Sequence, residues 1–536
     1  TQSIESIFCL DIEMFLADKI VDDIENTLNK SVMEKESLVV RDEKTPSGRV
    51  HVGSIRGVAI HGIVSEILKS RGVENTFLYE FNDFDAFDSV PDYLDSSYEK
   101  YLGKPLYSVP APEGKGNFAE FFASEFGRVI EASGFTPEFY YSSADYKAGK
   151  YNEVIKIALD KKDLIRRIYK ETSGSIKDED WFPLMVLCEG CGSIANTRVT
   201  SFDGEKVKYV CDQEGSGAKG CGKEGEVSPY DGNSKLPWKV EWAAKFRVYD
   251  VDIEGGGKDH STRGGSRDVA NHISKEVFEC EPPYDMPYEF LLVGGKKMSS
   301  SKGLGSSSAE IAATVPKKIF RLALLGKDIK RAINFDPEDV TIPELYGRYD
   351  KIAEKYWGGE SDDEVRLFEL VHEGDMPSKS YNPDFMQVAF ILQMPHLDLK
   401  EEFEKDKGST LSEDENKELE ERAGYAKRWL DTYAPERFIY KLQKDSIPES
   451  AKNLSKEVKE LLNQLLIYIE ANEKLDGGEL HHEIHRIRKE SSVEPAELFS
   501  AIYLSFLGKE SGPKAGWFLS VLERDFLISR LKEVST

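Results

Sequence analysis

The sequence predicts an α/β fold with a doubly wound parallel sheet, followed by an all-α C-terminal region. Two observations predict the sheet. An apolar, β-branched run at 37–41 leads through a turn into a helical pattern, and a second apolar run at 290–293 leads into a loop rich in lysine and serine. Leucines that recur at helical spacing from 455 to 469 predict the helical region. The expected sheet is of Rossmann type and carries a zinc-bearing insertion.

Length, composition and charge exclude several classes of protein. At 536 residues the chain is too long for one core, and its 40% hydrophobic residues can fill several. No apolar run approaches the roughly 20 residues of a membrane span, so we expect a cytoplasmic protein without a membrane partner. The 97 acidic and 71 basic side chains give a net charge of −26, which argues against nonspecific coating of nucleic acid. A large structured RNA remains a compatible partner.

The first motif is the turn PSGRVHVGS at 46–54, between the predicted strand and helix. A helix that begins near Ser54 presents free N–H groups and a positive dipole end, where phosphates bind. Gly53 lets a ligand approach the backbone, and His51 can donate to a phosphate oxygen in a transition state. A plain turn with an incidental histidine is the alternative. The candidate ATP ligands of this turn are Pro46, Ser47, Gly53 and Ser54.

The second motif is the cationic, hydroxyl-rich loop KKMSSSKG at 296–303. It follows the apolar run 290–293, and the carboxyl end of a buried strand is where an α/β sheet places ligand contacts. A solvated linker has the same composition, which is the alternative. Lys297 and Lys302 would neutralise a triphosphate. Hydroxyl donors to the same ATP site would be Ser299, Ser300 and Ser301.

Four of the six cysteines form a candidate metal site. Cys188 and Cys191 make a Cys-x₂-Cys-Gly knuckle, and Cys211 and Cys221 follow about twenty residues later, separated by nine residues. Four thiolates of this kind typically hold a structural Zn²⁺ and leave no open position for catalysis. The spacing of the second pair is wider than usual. A disulfide is the alternative, but it conflicts with a cytoplasmic protein.

The two motifs, in this order and at this separation, resemble the HIGH and KMSKS signatures of class I aminoacyl-tRNA synthetases. The wider pattern resembles the class I, archaeal-type lysyl-tRNA synthetases nearly from end to end. Ser300 stands at the second lysine position of KMSKS, which is normal in that family, and Ser54 stands at the final histidine of HIGH. Further segments that carry the resemblance are NDFD at 82–85, WFP at 181–183, Trp238 with Trp242, GKDH at 257–260, GGS at 264–266 and LGKESGP at 507–513.

The resemblance implies ATP-dependent aminoacylation of lysine tRNA with L-lysine through a lysyl-adenylate, with release of AMP and pyrophosphate. It implies ATP, Mg²⁺ and structural Zn²⁺ as cofactors, and tRNA and lysine as partners; we expect a monomer. His51, Lys297 and Lys302 would stabilise the leaving pyrophosphate. Asp259 and Gly265 would lie near the ribose or adenine.

The amino-acid pocket is assigned in the same way. Trp238 and His260 would form its floor, because an aromatic face can pack against lysine's methylene stem or its ammonium. Asp83, at the carboxyl end of a second predicted strand, would pair with the ε-ammonium.

The predicted organisation leaves alternatives for the function. An arginyl or glutamyl enzyme of class I shares the ATP chemistry, although Asp83 and Asp85 favour a cationic amino acid. A small-molecule nucleotidylyltransferase on the same fold would not need the helical third, and a noncatalytic zinc-containing RNA-binding protein would not bind ATP. The predicted domains are two catalytic halves at 1–165 and 236–310, a zinc-binding insertion at 166–235, a helical stem-contact region at 311–400 and an α-helical anticodon-binding domain at 401–536.

Overall fold

The structure, a computed structural model, describes residues 17–28, 30–295, 307–394 and 396–536. The chain divides into two compact units. The first comprises Thr1–Asp336 and Ile352–Met376, and the second comprises Pro337–Lys351 and Pro377–Thr536. The domain boundaries expected from the sequence stay predictions.

All strands of the described ranges lie in the first unit. In chain order they are β1 (Leu38–Lys44), β2 (Asn75–Phe81), β3 (Glu138–Tyr141), β4 (Met185–Val186), β5 (Arg198–Phe202), β6 (Val207–Val210), β7 (Glu214–Gly215), β8 (Ala218–Lys219), β9 (Glu224–Val227), β10 (Ser234–Lys235), β11 (Leu291–Val293) and β12 (Ile333–Phe335).

Helices alternate with the parallel strands and then dominate the rest of the chain. The first unit contains α1 (Ala17–Thr27), α2 (Lys30–Met33), α3 (Ile55–Ser70), α4 (Phe118–Ala132), α5 (Ser142–Lys147), α6 (Asn152–Asp160), α7 (Lys162–Ser173), α8 (Trp238–Val248), α9 (Ser266–Glu276), α10 (Ser308–Ala312) and α11 (Lys317–Leu325). Next, α12 (Thr341–Trp357) belongs to both units and α13 (Asp363–Val371) to the first. The second unit continues with α14 (Phe385–Ile391), α15 (Leu399–Lys407), α16 (Glu413–Thr432), α17 (Lys456–Ala471), α18 (Gly477–Lys489), α19 (Pro495–Leu507), α20 (Ala515–Ser520) and α21 (Arg524–Ser535).

The core of the first unit is a parallel sheet that reverses its direction of growth beside β1. On one side, β1 pairs with β2 and β2 with β3, all parallel. On the other side, residues 251–257 follow through a parallel bridge between Val40 and Ile253, and residues 284–288 follow through a bridge between Ile253 and Tyr284. Such a reversal is the point where an open α/β sheet binds ligands, beyond the carboxyl ends of its strands. The predicted doubly wound sheet is confirmed.

The helix after β1 packs closely on the sheet. Most residues of α3 are buried, so its apolar side chains cover β1 and β2. Gly62 makes one close approach, because a Cβ there would lie 2.4 Å from the ring of Phe135. The turn and the helix therefore occupy a fixed position at the end of β1.

Charged side chains form a network inside this sheet. The buried Arg41 contacts Glu43 and Glu80 at 2.5 Å each and Glu254 at 2.7 Å. Lys245 of α8, also buried, contacts Glu43 at 2.6 Å and Glu80 at 2.8 Å. Burial alone would raise the pKa of Glu43, but the charges of Lys245 and Arg41 hold it well below its usual value. The shared carboxylates thus tie β1, β2, residues 251–257 and α8 together.

Small antiparallel sheets fill the stretch between α7 and α8. β4 pairs with β10, β6 lies between β5 and β9, and β7 and β8 form a hairpin. The buried residues of these strands belong to the same hydrophobic cluster as Phe84 and Trp242, so the cysteine-rich part of the chain packs on the core of the first unit.

The second unit is helical in its described part, as predicted. In α17, Ser455 caps the helix by accepting a hydrogen bond from the Val458 N–H, and one face is buried. Its buried face contains Leu461, Leu462, Leu465 and Leu466, the leucines that predict the helix.

Over the ranges that the structure describes, none of the helices combines the length and the apolar character needed to cross a bilayer.

Candidate active site

A cleft of about 420 Å³ opens at the point where the sheet reverses. It brings together the end of β1, the His51 turn, the start of α8 and the segments after residues 253 and 287. Its lining comprises Asp42, Glu43, Lys44, Thr45, Ser47, His51, Gly53, Ser54, Trp238, Trp242, Glu254, Gly255, Gly256, Gly257, Asp259, His260, Tyr288, Phe290 and Leu291. Seven predicted site residues therefore meet in one cavity: Ser47, His51, Gly53, Ser54, Trp238, Asp259 and His260.

The His51 turn leaves no room for a side chain at Gly53. A Cβ at Gly53 would lie 2.8 Å from His51 Nδ1 and 3.2 Å from the carbonyl oxygen of Leu291. The helix α3 begins directly afterwards, with Ser54 at its N-cap. One wall of the cleft is thus a glycine-containing turn that leads into a helix N-terminus, an arrangement that can bind phosphate.

The residues on both sides of the lysine- and serine-rich loop lie close to this turn. Leu291, in the strand before the loop, lines the cleft. After the loop, Ser307 forms an antiparallel bridge with His51, and the Ser308 N–H donates to the Val50 carbonyl at 2.9 Å. The predicted ligands Lys297, Ser299, Ser300, Ser301 and Lys302 lie outside the described residues, so their positions stay predictions.

Aromatic rings form the opposite wall. Trp238 stacks on Trp242 with centroids 6.0 Å apart and an angle of 11° between the planes. His260 stands edge-on to both rings, at 5.5 and 5.8 Å. The Trp242 indole N–H donates to Glu254 at 2.5 Å, which fixes the inner ring, while Trp238 is 44% exposed. This three-ring wall can pack a methylene chain or a cation.

Asp42 is a buried carboxylate in the cleft without an ion pair to lysine or arginine in the described part of the chain. Burial raises its pKa to about 6. The Nδ1 atom of His61 lies 3.7 Å from Asp42 Oδ2. The other ring nitrogen, Nε2, accepts a hydrogen bond from the Gly255 N–H at 2.8 Å. His61 Nδ1 therefore donates to the Gly57 carbonyl, also at 2.8 Å. The cleft thus contains a buried carboxylate that forms no ion pair with lysine or arginine among the described residues, although the charge of Lys44 acts on it from the same strand.

Two predicted ATP ligands support the cleft without lining it. Pro46 is buried in the turn. Gly265 is the N-cap of α9, and a Cβ there would lie 2.4 Å from the His260 carbonyl oxygen. Gly265 therefore allows the loop that contains Asp259 and His260 to close tightly.

Asp83 is the predicted amino-acid ligand that the structure does not bring to the cleft. Its Oδ1 accepts from the Ser143 N–H at 2.7 Å and from the Ser142 hydroxyl at 3.1 Å, and its Oδ2 accepts from the Ser143 hydroxyl at 2.6 Å. It holds the start of α5. Strand order explains why Asp83 does not line the cleft. The sheet reverses on one side of β1, whereas β2 lies on the other side of β1, between β1 and β3. Asp85 is also engaged, by Thr45 and Lys235.

Sequence reasoning missed several cleft residues, above all Asp42, Glu43 and Glu254. A signal for two of them was present, because β1 ends in four consecutive charged residues at 41–44. Charged side chains are rarely buried unless they are paired or functional, so such a run in a buried strand marks a site.

The four cysteine sulfurs lie within 4.8 Å of one another. The Sγ atoms of Cys188 and Cys221 are 3.7 Å apart, and those of Cys191 and Cys211 are 3.8 Å apart. A zinc tetrahedron with Zn–S bonds of about 2.3 Å has sulfur–sulfur edges of about 3.8 Å. The residues therefore fit one tetrahedral Zn²⁺.

The wide spacing of the second cysteine pair is absorbed by the hairpin β7–β8. Its two turn residues, Ser216 and Gly217, have φ values of 51° and 68°. Positive φ at both positions is the geometry of a tight two-residue hairpin turn. The hairpin returns the chain so that Cys211 and Cys221 meet.

Two protein families and several known proteins are similar to this chain over most of its length. The family described as tRNA synthetases class I (K) matches residues 14–374, and the anticodon binding domain matches residues 387–535. A lysine--tRNA ligase of Methanosarcina barkeri is 34% identical over 521 residues, which cover 92% of this chain and 93% of the relative. Lysine--tRNA ligase 1 of Methanosarcina acetivorans is 34% identical over 546 residues, which cover 98% of this chain and 99% of the relative. A lysine--tRNA ligase of Archaeoglobus fulgidus is 33% identical over 493 residues, which cover 91% of this chain and 94% of the relative. Since both the family match and these relatives span most of the sequence, the chain belongs to the class I (K) tRNA synthetases.

Proposed function

We propose that this chain is a lysine–tRNA ligase, which activates L-lysine with ATP as lysyl-adenylate and transfers it to lysine tRNA. The observation that supports the chemistry is the convergence of the His51 turn, the aromatic wall and Asp42 on one cleft. The relatives named above support lysine as the amino acid. We retain the predictions of a monomer that acts in the cytoplasm.

In this proposal Asp42, rather than Asp83, binds the lysine ammonium. The ammonium would form the ion pair that Asp42 does not make with a lysine or arginine of the described residues, while the rings of Trp238 and His260 pack the methylene stem. Lys44 lines the same cleft, and burial lowers its pKa. It is placed to bind the anionic oxygens that meet when the lysine carboxylate attacks the α-phosphate.

The nucleotide would lie along the His51 turn. His51 and the N-terminus of α3 would donate to the phosphates, and Gly53 would allow their close approach. Lys297, Lys302 and the serines between them would hold the pyrophosphate from the other side, and Mg²⁺ on the triphosphate would add positive charge there. Asp259 and Gly265 keep their predicted place near the ribose or adenine.

Zinc and tRNA complete the proposal. Cys188, Cys191, Cys211 and Cys221 would hold a structural Zn²⁺ that stabilises the insertion. The helices matched to the anticodon binding domain would bind the anticodon of lysine tRNA.

Aminoacylation of total tRNA with each labelled amino acid in turn tests the function directly. We expect lysine alone to be charged, and only onto lysine tRNA. Charging of arginine or glutamate would support one of the two rival enzymes of the class and refute this proposal.

A double-mutant cycle tests whether the two motifs act on one pyrophosphate. We expect His51→Ala to lower the aminoacylation rate by about 100-fold or more, as loss of a transition-state donor does. Lys297→Ala should lower it at least about tenfold. Because both groups would hold the same leaving group, the double variant should lose less than the product of the two factors. Strictly multiplicative losses would contradict convergence, and His272→Ala, an exposed histidine of α9, should leave the rate unchanged.

Lysine affinity should depend on pH through Asp42. A carboxylate with a pKa of about 6 is ionised above that pH and protonated below it. The dissociation constant for lysine, measured by equilibrium dialysis, should therefore rise about tenfold as the pH falls from about 8 to about 5. Asp42→Asn should bind lysine weakly at every pH and lose this dependence. Asp83→Asn should retain both affinity and pH dependence, and the reverse pattern would restore the original assignment.

Metal analysis tests the zinc site. We expect the purified protein to contain about one equivalent of Zn²⁺ and Cys188→Ser to lose it, with a lower melting temperature, since metal binding is coupled to folding. Cys280→Ser is the matched control, because Cys280 lies outside the cluster and should retain the metal. Full zinc content in Cys188→Ser would point to a different ligand set.

A further inference from the structure

A cluster of lysines and aromatic rings lies beside the start of α8, next to Trp238 of the cleft wall. We call it the lysine lip and define it by Tyr169, Lys177, Trp181 and Lys239. The Lys177 ammonium lies 5.1 Å from the Tyr169 ring centroid and 5.5 Å from that of Trp181. The Lys239 ammonium lies 5.8 Å from the same Tyr169 ring. Two ammonium groups therefore share one aromatic platform.

The two lysines of the lip lack a carboxylate partner. Within the described ranges the contacts of both are to aromatic rings and neither forms an ion pair, although Asp178, Glu179 and Asp180 follow Lys177 directly in the sequence. Burial and the charge of Lys177 both lower the pKa of Lys239. Two like charges held together in this way favour the binding of an anion between them.

The lysine lip adjoins the cleft wall at Trp238. Lys239 follows Trp238, the exposed ring of the cleft wall, at the start of α8. At the other end of the lip, a Cβ on Gly264 would lie 3.0 Å from the Thr172 carbonyl oxygen. The end of α7 thus packs against the loop that contains His260 and Arg263. Arg263 is exposed and adds a third cation without an ion pair in the described structure.

We propose that the lysine lip binds the single-stranded 3′ end of the tRNA substrate, with backbone phosphates at Lys177 and Lys239 and a base against Trp181. Proteins bind single strands by combining cations that follow the backbone with aromatic rings on which bases stack. The terminal ribose must reach the cleft to accept lysine, so a polyanionic strand must cross one of its edges. The lip is a basic edge on a chain with a net charge of −26. This inference rests on the proposed function, because only a tRNA substrate brings such a strand to the cleft.

The test compares intact lysine tRNA with the same tRNA trimmed of its unpaired 3′ nucleotides. We expect Lys177→Gln/Lys239→Gln to bind intact tRNA about tenfold more weakly and to bind trimmed tRNA as the unaltered protein does. Each lost phosphate contact on a single strand lowers the slope of log K against log salt by about 0.7, so the slope for intact tRNA should fall by about 1.4. Lys177→Arg/Lys239→Arg should restore both affinity and slope.

The matched control is Lys206→Gln/Lys208→Gln, which removes two exposed lysines that lie 3.7 and 3.8 Å from Glu226. It should change neither affinity. Lys239→Gln alone, with an unchanged melting temperature, should show about half the fall in slope and covers the case in which the double variant fails to fold. Equal losses on intact and trimmed tRNA, or no loss on either, would overturn the inference. If the unaltered protein charges no lysine tRNA, the proposed function itself fails; if it charges normally and the lip variants bind normally, only this inference fails.

Discussion

The buried ion pairs of Arg41 and Lys245 with their shared carboxylates are the constraint on which the cleft depends. Taking a charge out of water costs several kcal/mol per ion, so the network persists only while every partner is in place. Its members come from β1, β2, residues 251–257 and α8, and three of these elements also line the cleft. A shift of α8 that separated Lys245 from Glu43 would also move both tryptophans of the cleft wall. The same charges therefore fix the fold and the geometry of the site.

Within this setting, neighbouring carboxylates of β1 have opposite roles. Glu43 is neutralised by Arg41 and Lys245, and its pKa is held low despite burial. Asp42 forms no ion pair with lysine or arginine among the described residues, and burial raises its pKa to about 6. A cationic amino acid would form an ion pair with Asp42, whereas the side chain of glutamate would add a second negative charge beside it. The electrostatics of the cleft therefore favour lysine or arginine over glutamate, and the fit of the side chain against the three rings must separate the first two.

The sequence predicted what local patterns control. The strand before the first motif begins at Leu38, one residue after the start of the predicted apolar run, and α3 begins at Ile55, next to the predicted start at Ser54. Strand order is not local, and it decides which strand ends meet at the reversal. The structure therefore holds Asp83 at the start of α5, outside the lining of the cleft, whereas Asp42 lines it. The grouping of the four cysteines was predicted despite the unusual spacing of Cys211 and Cys221. The hairpin between these two residues lengthens the chain without separating their sulfur atoms.

The excess of acidic residues also constrains how this chain can bind RNA. A lysine or arginine already held by a carboxylate offers little to a phosphate, because binding must first break the existing pair. Lys35, Arg71 and Lys355 are each held in this way by two or more acids. On a surface where most cations are paired with carboxylates, a nucleic acid follows the few cations that are not. Their positions therefore matter more than their number. An acidic protein with a few unpaired lysines beside its cleft can therefore admit one strand while repelling RNA elsewhere, which makes contact specific without requiring a basic surface.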